Sequence, residues 1–253
     1  MKKALTLAVG CVVIFGARSA HAQVGQAWTD RGYVNVNVGF EAGSSDLNDT
    51  STFRLYDEDA TLSVAQPTDS GAFFDFSVGT RLWHNVSAGI GYHQGKTKST
   101  AAIAGSIPHP LFFNRARTIS ESVADLERLE RAFHLQFGYM IPVTRQTSVH
   151  VTAGPSFFRL RQDVVSQIGV TEQGGDFSRV TVNPVLAERT DHPVGFNIGA
   201  DITYLFTSGG ATRDGVGAFI RYAGASSDVQ VLQNTVSSDV GGLQVGFGAR
   251  IRF

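Results

Sequence analysis

Seven charged residues, Glu41, Asp75, Arg81, Asp201, Arg221, Arg250 and Arg252, alternate with apolar neighbours along short runs. Each therefore shares a face with glycines, histidines and amides. Acids and guanidinium groups facing one another in a narrow enclosure must pair, because an unpaired buried charge is very costly. Their chemistry is electrostatic: a network that holds an interior shut, or one that rearranges to open a narrow ion path. Three histidines, His93, His134 and His150, belong to the same face but to three different runs. No pair has i,i+2 or HExxH spacing, so the pattern does not announce a metal site. Gly89-Ile90-Gly91 precedes no helix and is no dinucleotide loop. The expectation is a chain with no catalytic, cofactor-binding or metal-ligating set.

Charge and composition narrow the classes further. The formal net charge is −1, and setting aside Lys2, Lys3 and Arg18 of the first segment leaves 18 basic against 22 acidic groups. A mildly acidic chain without a basic cluster is not built to bind nucleic acid. The one cysteine, Cys11, lies in that first segment, so thiolate and disulfide chemistry is not expected of the remainder. No run approaches the ~20 apolar residues that a membrane-spanning helix needs.

The elements that position the charges read as strands. Apolar side chains alternate with polar or small ones near residues 34–40, 74–78, 86–92, 133–139, 149–155, 194–206, 216–222 and 243–253. A period of two puts successive side chains on opposite faces of a strand. One face is aliphatic and aromatic, with Tyr92, Tyr139, Tyr204, Phe206, Tyr222 and Phe253 towards the strand ends. The other is polar and mixes glycine with the charged residues. The connections alternate between long, near 44–70, 98–128, 162–192 and 226–239, and short, near 83–84, 141–146 and 207–212. Such a pattern belongs to a meander whose sheet closes on itself. Residues 51–64 and 176–190 have strand-like texture and could extend hairpins. Residues 122–133 stay open between helix and strand, since Val123, Leu126, Leu129 and Phe133 fall at helical spacing.

Both ends agree with export. Residues 1–22 read as a signal peptide: Lys2 and Lys3, then an apolar stretch, then Ala20-His21-Ala22 as the cleavage site. Residues 23–253 then form one domain. The last eleven residues, LQVGFGARIRF, end on an aromatic residue, with Phe247, Ile251 and Phe253 on the apolar face. Together these features resemble the small bacterial outer-membrane β-barrel family that includes the OmpA barrel domain and OmpX-type proteins. The resemblance implies an all-β, eight-stranded antiparallel up-and-down transmembrane β-barrel with four long extracellular loops and short periplasmic turns. It further implies an integral protein of the outer membrane, in contact with outer-membrane lipid, folded by the barrel assembly machinery and needing no cofactor. Phe247, Ile251 and Phe253 would carry the assembly signal. No peptidoglycan-binding domain follows the barrel, so envelope tethering does not transfer.

For function the leading expectation is a non-enzymatic, monomeric barrel with a structural or surface-interaction role carried by its long loops. No strand sets a His beside a Ser on the apolar face, as a lipid-modifying barrel enzyme would require. The lumen charges Glu41, Asp75, Arg81, Asp201, Arg221, Arg250 and Arg252 then plug the interior or gate it. A small-conductance porin, a conduit for hydrophobic molecules, and a soluble periplasmic ligand-binding barrel stay open as rivals. One long loop carries Ile107, Leu111, Phe112 and Phe113, an apolar group read as a surface patch for an unnamed ligand.

Overall fold

The computed structural model describes residues 28–43, 46–68, 70–206, 212–232 and 234–253. Residues 1–22, expected as a signal peptide, and residues 207–210, expected as a turn, lie outside the described residues. In chain order the strands are β1 (Gly32–Ala42), β2 (Asp46–Leu55), β3 (Glu58–Pro67), β4 (Gly71–Trp83), β5 (Val86–Pro108) and β6 (Ala116–Pro142). They continue with β7 (Thr147–Gln173), β8 (Arg179–Asp191), β9 (Val194–Leu205), β10 (Arg213–Val231) and β11 (Asn234–Arg252). Eight of them, β1, β4, β5, β6, β7, β9, β10 and β11, pair antiparallel in that order, and β11 pairs back onto β1. The sheet is a closed up-and-down barrel. Its seam runs from Tyr33 opposite Arg252 to Ala42 opposite Leu243. Arg31 and Gly32 donate to the Phe253 carbonyl at 2.6 and 2.8 Å, and Phe253 donates back to Gly32 at 3.1 Å.

The four long connections are β-hairpins that carry the sheet onward, as the strand-like texture of residues 51–64 and 176–190 suggested for two of them. β5 and β6 stay paired from Val86 opposite Tyr139 to Pro108 opposite Ala116. β10 and β11 run together to Val231 opposite Asn234. β2 and β3 form a hairpin laid along the far part of β5, and β8 lies along the far part of β7. Inside these extensions the residue pattern inverts. Leu47, Leu62, Val64, Ile103, Leu126, Val164, Val229 and Val231 point inward and form a buried apolar core. Residues 122–133 are strand, and their helix-like spacing has a local cause. A β-bulge sets Val123 opposite Ala101 and Leu126 opposite Ser99, with Asp125 at φ 60°. The extra residue switches the inward face from Val123 to Leu126, a step of three that imitates a helical period.

Around the ring, the outward side chains are those the alternation assigned. Val38, Phe40, Phe137, Phe196, Ile202 and Phe247 are among a continuous belt of exposed large apolar residues, Phe247 being 66% exposed. Water-soluble proteins rarely expose so large a contiguous apolar surface, and a bilayer core requires it. The fold is therefore that of a transmembrane β-barrel, with a polar lumen at belt level and an apolar core above it.

Because Phe253 supplies three of the backbone bonds that register the seam, deleting it should sharply lower the yield of folded barrel. The measure is the heat-modifiable band on unheated gels, and a normal yield would remove the seam from the account of assembly.

Candidate functional site

Within the belt, the inward side chains of β1, β4, β9, β10 and β11 meet in one connected ladder. At its upper end Glu41 accepts a hydrogen bond from Gln244 Nε2. The Gln244 carbonyl oxygen accepts from Arg221 Nε at 2.6 Å, and Arg221 Nη2 donates to Asp75 at 2.7 Å. Asp75 also accepts from Asn37 Nδ2 at 2.9 Å, and the Asn37 oxygen accepts from Arg250. Arg250 grips Asp201 through both Nε and Nη2. Asp201 accepts from Thr203 at 2.7 Å, and Thr203 accepts from Arg252 at 3.1 Å. Arg252 ends the chain with its guanidinium 4.9 Å over the Tyr33 ring.

The ladder brings together Glu41, Asp75, Asp201, Arg221, Arg250 and Arg252, six of the seven charges that the sequence placed on the lumen face. Arg81 is the correction. It stands at the turn end of β4, where a bulge between Arg81 and Trp83 breaks the register, and it donates to the Trp28 carbonyl. The neutral connectors Asn37, Gln244 and Thr203 did not stand out, because an amide or hydroxyl carries meaning only once its neighbours are known. They were visible only as inward positions of the same alternation.

Geometry makes the ladder compact. Arg250 and Arg252 are 0% and 1% exposed, so each bulky head needs vacant space opposite. A Cβ on Gly217 would lie 2.6 Å from Arg250 Nε, and one on Gly79 would lie 2.4 Å from the Tyr33 ring. Inward glycines on neighbouring strands thus set where the large polar groups fit. Two histidines are held by serines, His150 Nε2 with Ser87 Oγ at 2.8 Å and His134 Nδ1 with Ser156 Oγ at 2.7 Å. At the hairpin end, Glu41, His93 and Glu130 bring one ligand atom each to within 4.8 Å of one another. They come from β1, β5 and β6, so no spacing along the chain could show them as a group.

Both mouths of the lumen are filled. At the turn end Trp28 packs with Tyr33 and Met140, its indole N–H donates to Asp30 at 3.1 Å, and Asp30 pairs with Arg213. At the other end the lumen runs into the apolar core. Cavities of about 30, 40 and 50 Å3 lie along the lumen at separate levels. Each holds no more than a few waters.

The proposed surface patch divides. Ile107 is fully buried in the apolar core, which corrects its assignment to the surface, because it lies on the inward face of β5. Leu111, Phe112 and Phe113 are 63%, 52% and 73% exposed at the tip of the β5–β6 hairpin. Arg117, below that tip, ties its own hairpin to the β7–β8 hairpin. It pairs with Glu172 of β7 and donates to the carbonyls of Pro108 at 2.6 Å and Phe177 at 2.7 Å. Tyr56, in the β2–β3 turn, donates to the same Glu172 at 3.1 Å. The bond from Arg117 holds the Glu172 carboxyl below its ordinary range.

No family model matches the chain, and no curated protein sequence matches it. Among solved structures the chain is similar to Neisserial surface protein A, with a TM-score of 0.38 and 14% identity over 88% of this chain and 97% of that one. It is similar to Ail, the attachment invasion locus protein of Yersinia pestis, at 0.36 and 8% over 87% and 99%. OprG from Pseudomonas aeruginosa gives 0.38 and 10% over 88% and 97%. These are outer-membrane β-barrel proteins; the fold of this chain rests on its own strand pairing.

Removing one partner of a buried, hydrogen-bonded ion pair costs about 3–5 kcal/mol, whereas replacing both by apolar residues costs far less. Arg221→Met and Asp75→Leu should each lower the urea midpoint of the folded barrel strongly, and the double variant should recover part of the loss. Neutral single variants would show that the ladder holds nothing. Glu172 gives a pH test. A depressed carboxyl pKa contributes stability above the ordinary carboxylate range, and this is lost as pH falls through the folded-state value. Proteolysis at the β5–β6 tip should therefore accelerate on acidification in the protein and change much less in Glu172→Gln.

Proposed function

We propose that this protein is an integral outer-membrane barrel that conducts nothing and acts as a rigid stalk for recognition at the cell surface. The apolar belt favours a lipid setting over the soluble periplasmic ligand-binding alternative, because a soluble barrel would not expose Phe247, Phe196 and Phe137 side by side. In this orientation the short turns face the periplasm and the paired hairpins project outward.

One observation carries the reading: the lumen is closed at three levels. Trp28 fills the turn end, the Arg221–Asp75 and Arg250–Asp201 pairs cross the middle, and a buried apolar core packs the hairpin end. An ion path through the middle could be made by moving arginines, as the pore alternative requires. No such movement opens the apolar core, whose residues offer an ion nothing to replace its hydration. The hairpins leave Leu111, Phe112 and Phe113 at an outer tip, where they suit an apolar surface on a partner. Enzymatic action is not part of this reading, since both serine–histidine pairs are buried inside the lumen.

The test is conductance of the folded protein in a planar bilayer. The expected result is silence, both for the natural protein and for Arg250→Ala, because the apolar core remains. Discrete openings in the natural protein would overturn the closed-stalk reading in favour of a pore.

A further inference from the structure

Glu41, His93 and Glu130 stand where the polar lumen ends and the apolar core begins. His93 is fully buried and Glu130 is 5% exposed. Neither ring nitrogen of His93 has a hydrogen-bond partner, and Oε1 of Glu130 has none either. Buried polar atoms in native proteins are almost always satisfied, so unpartnered ones ask for an explanation. Here the orphans converge. His93 Nε2 lies 3.3 Å from Glu41 Oε2, and one oxygen of Glu130 completes a triangle with no edge longer than 4.8 Å. The histidine ring is held by Phe73, with ring centroids 4.7 Å apart.

We propose that Glu41, His93 and Glu130 bind one divalent transition-metal ion of the zinc class, which ties β1, β5 and β6 together at the base of the hairpins. The donor set decides the class. One imidazole nitrogen and two carboxylate oxygens suit zinc or its first-row neighbours better than calcium, which takes six to eight oxygens. Tetrahedral ligation with metal–ligand bonds near ~2.1 Å places ligand atoms about 3.4 Å apart. The His93–Glu41 edge already has that length, and Glu130 need only swing inward through side-chain rotation. An adjoining cavity of about 30 Å3, lined by Glu41, Glu130, Arg128, Gly95, Thr97 and Gly241, leaves room for a water as the remaining ligand.

The surrounding charges are compatible with a cation. Arg221 is committed to Asp75 and Gln244. Arg128 reaches Glu130 only at 3.4 Å and spends its other donors on Gln162, Ser238 and the Asp239 carbonyl. Glu41 accepts from the neutral Gln244 amide. Two carboxylates and a histidine are thus held close together with only one long contact to a guanidinium.

The experiment is calorimetric titration of zinc chloride into the full folded protein in detergent after chelation with EDTA. The expected result is one ion per chain, with affinity falling by about tenfold or more in His93→Gln and in Glu130→Gln. His192→Gln, an exposed histidine outside the site, should bind as the natural protein does. Unheated gels report whether each variant is folded. As a second readout needing no variant, cobalt(II) bound to the natural protein should show the visible bands of a four-coordinate nitrogen–oxygen site. Failure of the natural protein to bind zinc with a stoichiometry of one would overturn the proposal. So would binding of undiminished affinity in folded His93→Gln, or a six-coordinate cobalt spectrum.

Discussion

Every backbone N–H and C=O at belt level must be satisfied within the protein, because lipid offers neither donor nor acceptor. That constraint closes β11 onto β1, and the rest of the structure follows from the closure. Eight strands in a ring leave an interior just wide enough to be filled by side chains. Whatever points inward must therefore pack, and whatever is charged must pair. The Arg221–Asp75 and Arg250–Asp201 pairs are the consequence of a sheet with no free edge. The polar filling is itself a choice with a cost. A buried ion pair is often no more stabilising than a well-packed apolar pair. What a ladder of arginines, acids and amides adds is direction: each guanidinium has one set of acceptors, so strands cannot slip in register without breaking several bonds at once.

The change of interior along the barrel axis then acquires a physical meaning. Beside the belt the outside is apolar and the inside polar; in the hairpins the outside is mainly polar and the inside mainly apolar, with Gln66 and Gln162 buried among the aliphatic groups. Both follow from placing the apolar face against the less polar surroundings, which are lipid at one level and the protein's own interior at the other. The hairpins are thus small water-soluble β structures built on membrane strands, with a core of their own. This is why they stand as paired strands rather than as flexible loops, and why Arg117 and Glu172 can lock three of them together.

The ring and its faces were legible in the sequence because a period of two survives from one end of each belt strand to the other. The six lumen charges of the ladder were legible for the same reason. Their pairing was not, since Arg221 and Asp75 lie 146 positions apart and only the order of strands brings them together. The hairpins through residues 51–64 and 176–190 were legible as strand-like texture, while those through Ile103 and Leu126 were not, because the pattern inverts rather than ending: Leu126, Ile103 and Val164 obey the same alternation with the opposite sense. The bulge at Asp125 hid the strand through residues 122–133 by changing the phase, whereas Arg81 keeps its register opposite Ser87 and misses the ladder because it stands at the turn end of β4, against Trp28. In the sequence Ile107 reads as surface, because proline neighbours and adjacent aromatics point to an exposed loop. Its position on the inward face of β5 appears only once β5 is known to continue past residue 100.

The same inversion bears on how the protein could act. A lumen plugged by charges alone is a latent pore, since guanidinium and carboxylate groups can exchange partners and admit water between them. A lumen stoppered by leucine, isoleucine and valine is not, because opening it would expose an apolar core and dismantle the hairpins that rest on it. Here the two plugs are stacked, and the second removes any advantage in moving the first. The ladder is then better understood as a foundation than as a gate. Its rigidity fixes the strand ends at the rim, the rim fixes the apolar core of the hairpins, and that core holds Phe112 and Phe113 at a defined position above the membrane. On the proposed closed-stalk reading, recognition at the tip needs no ion to cross the lumen.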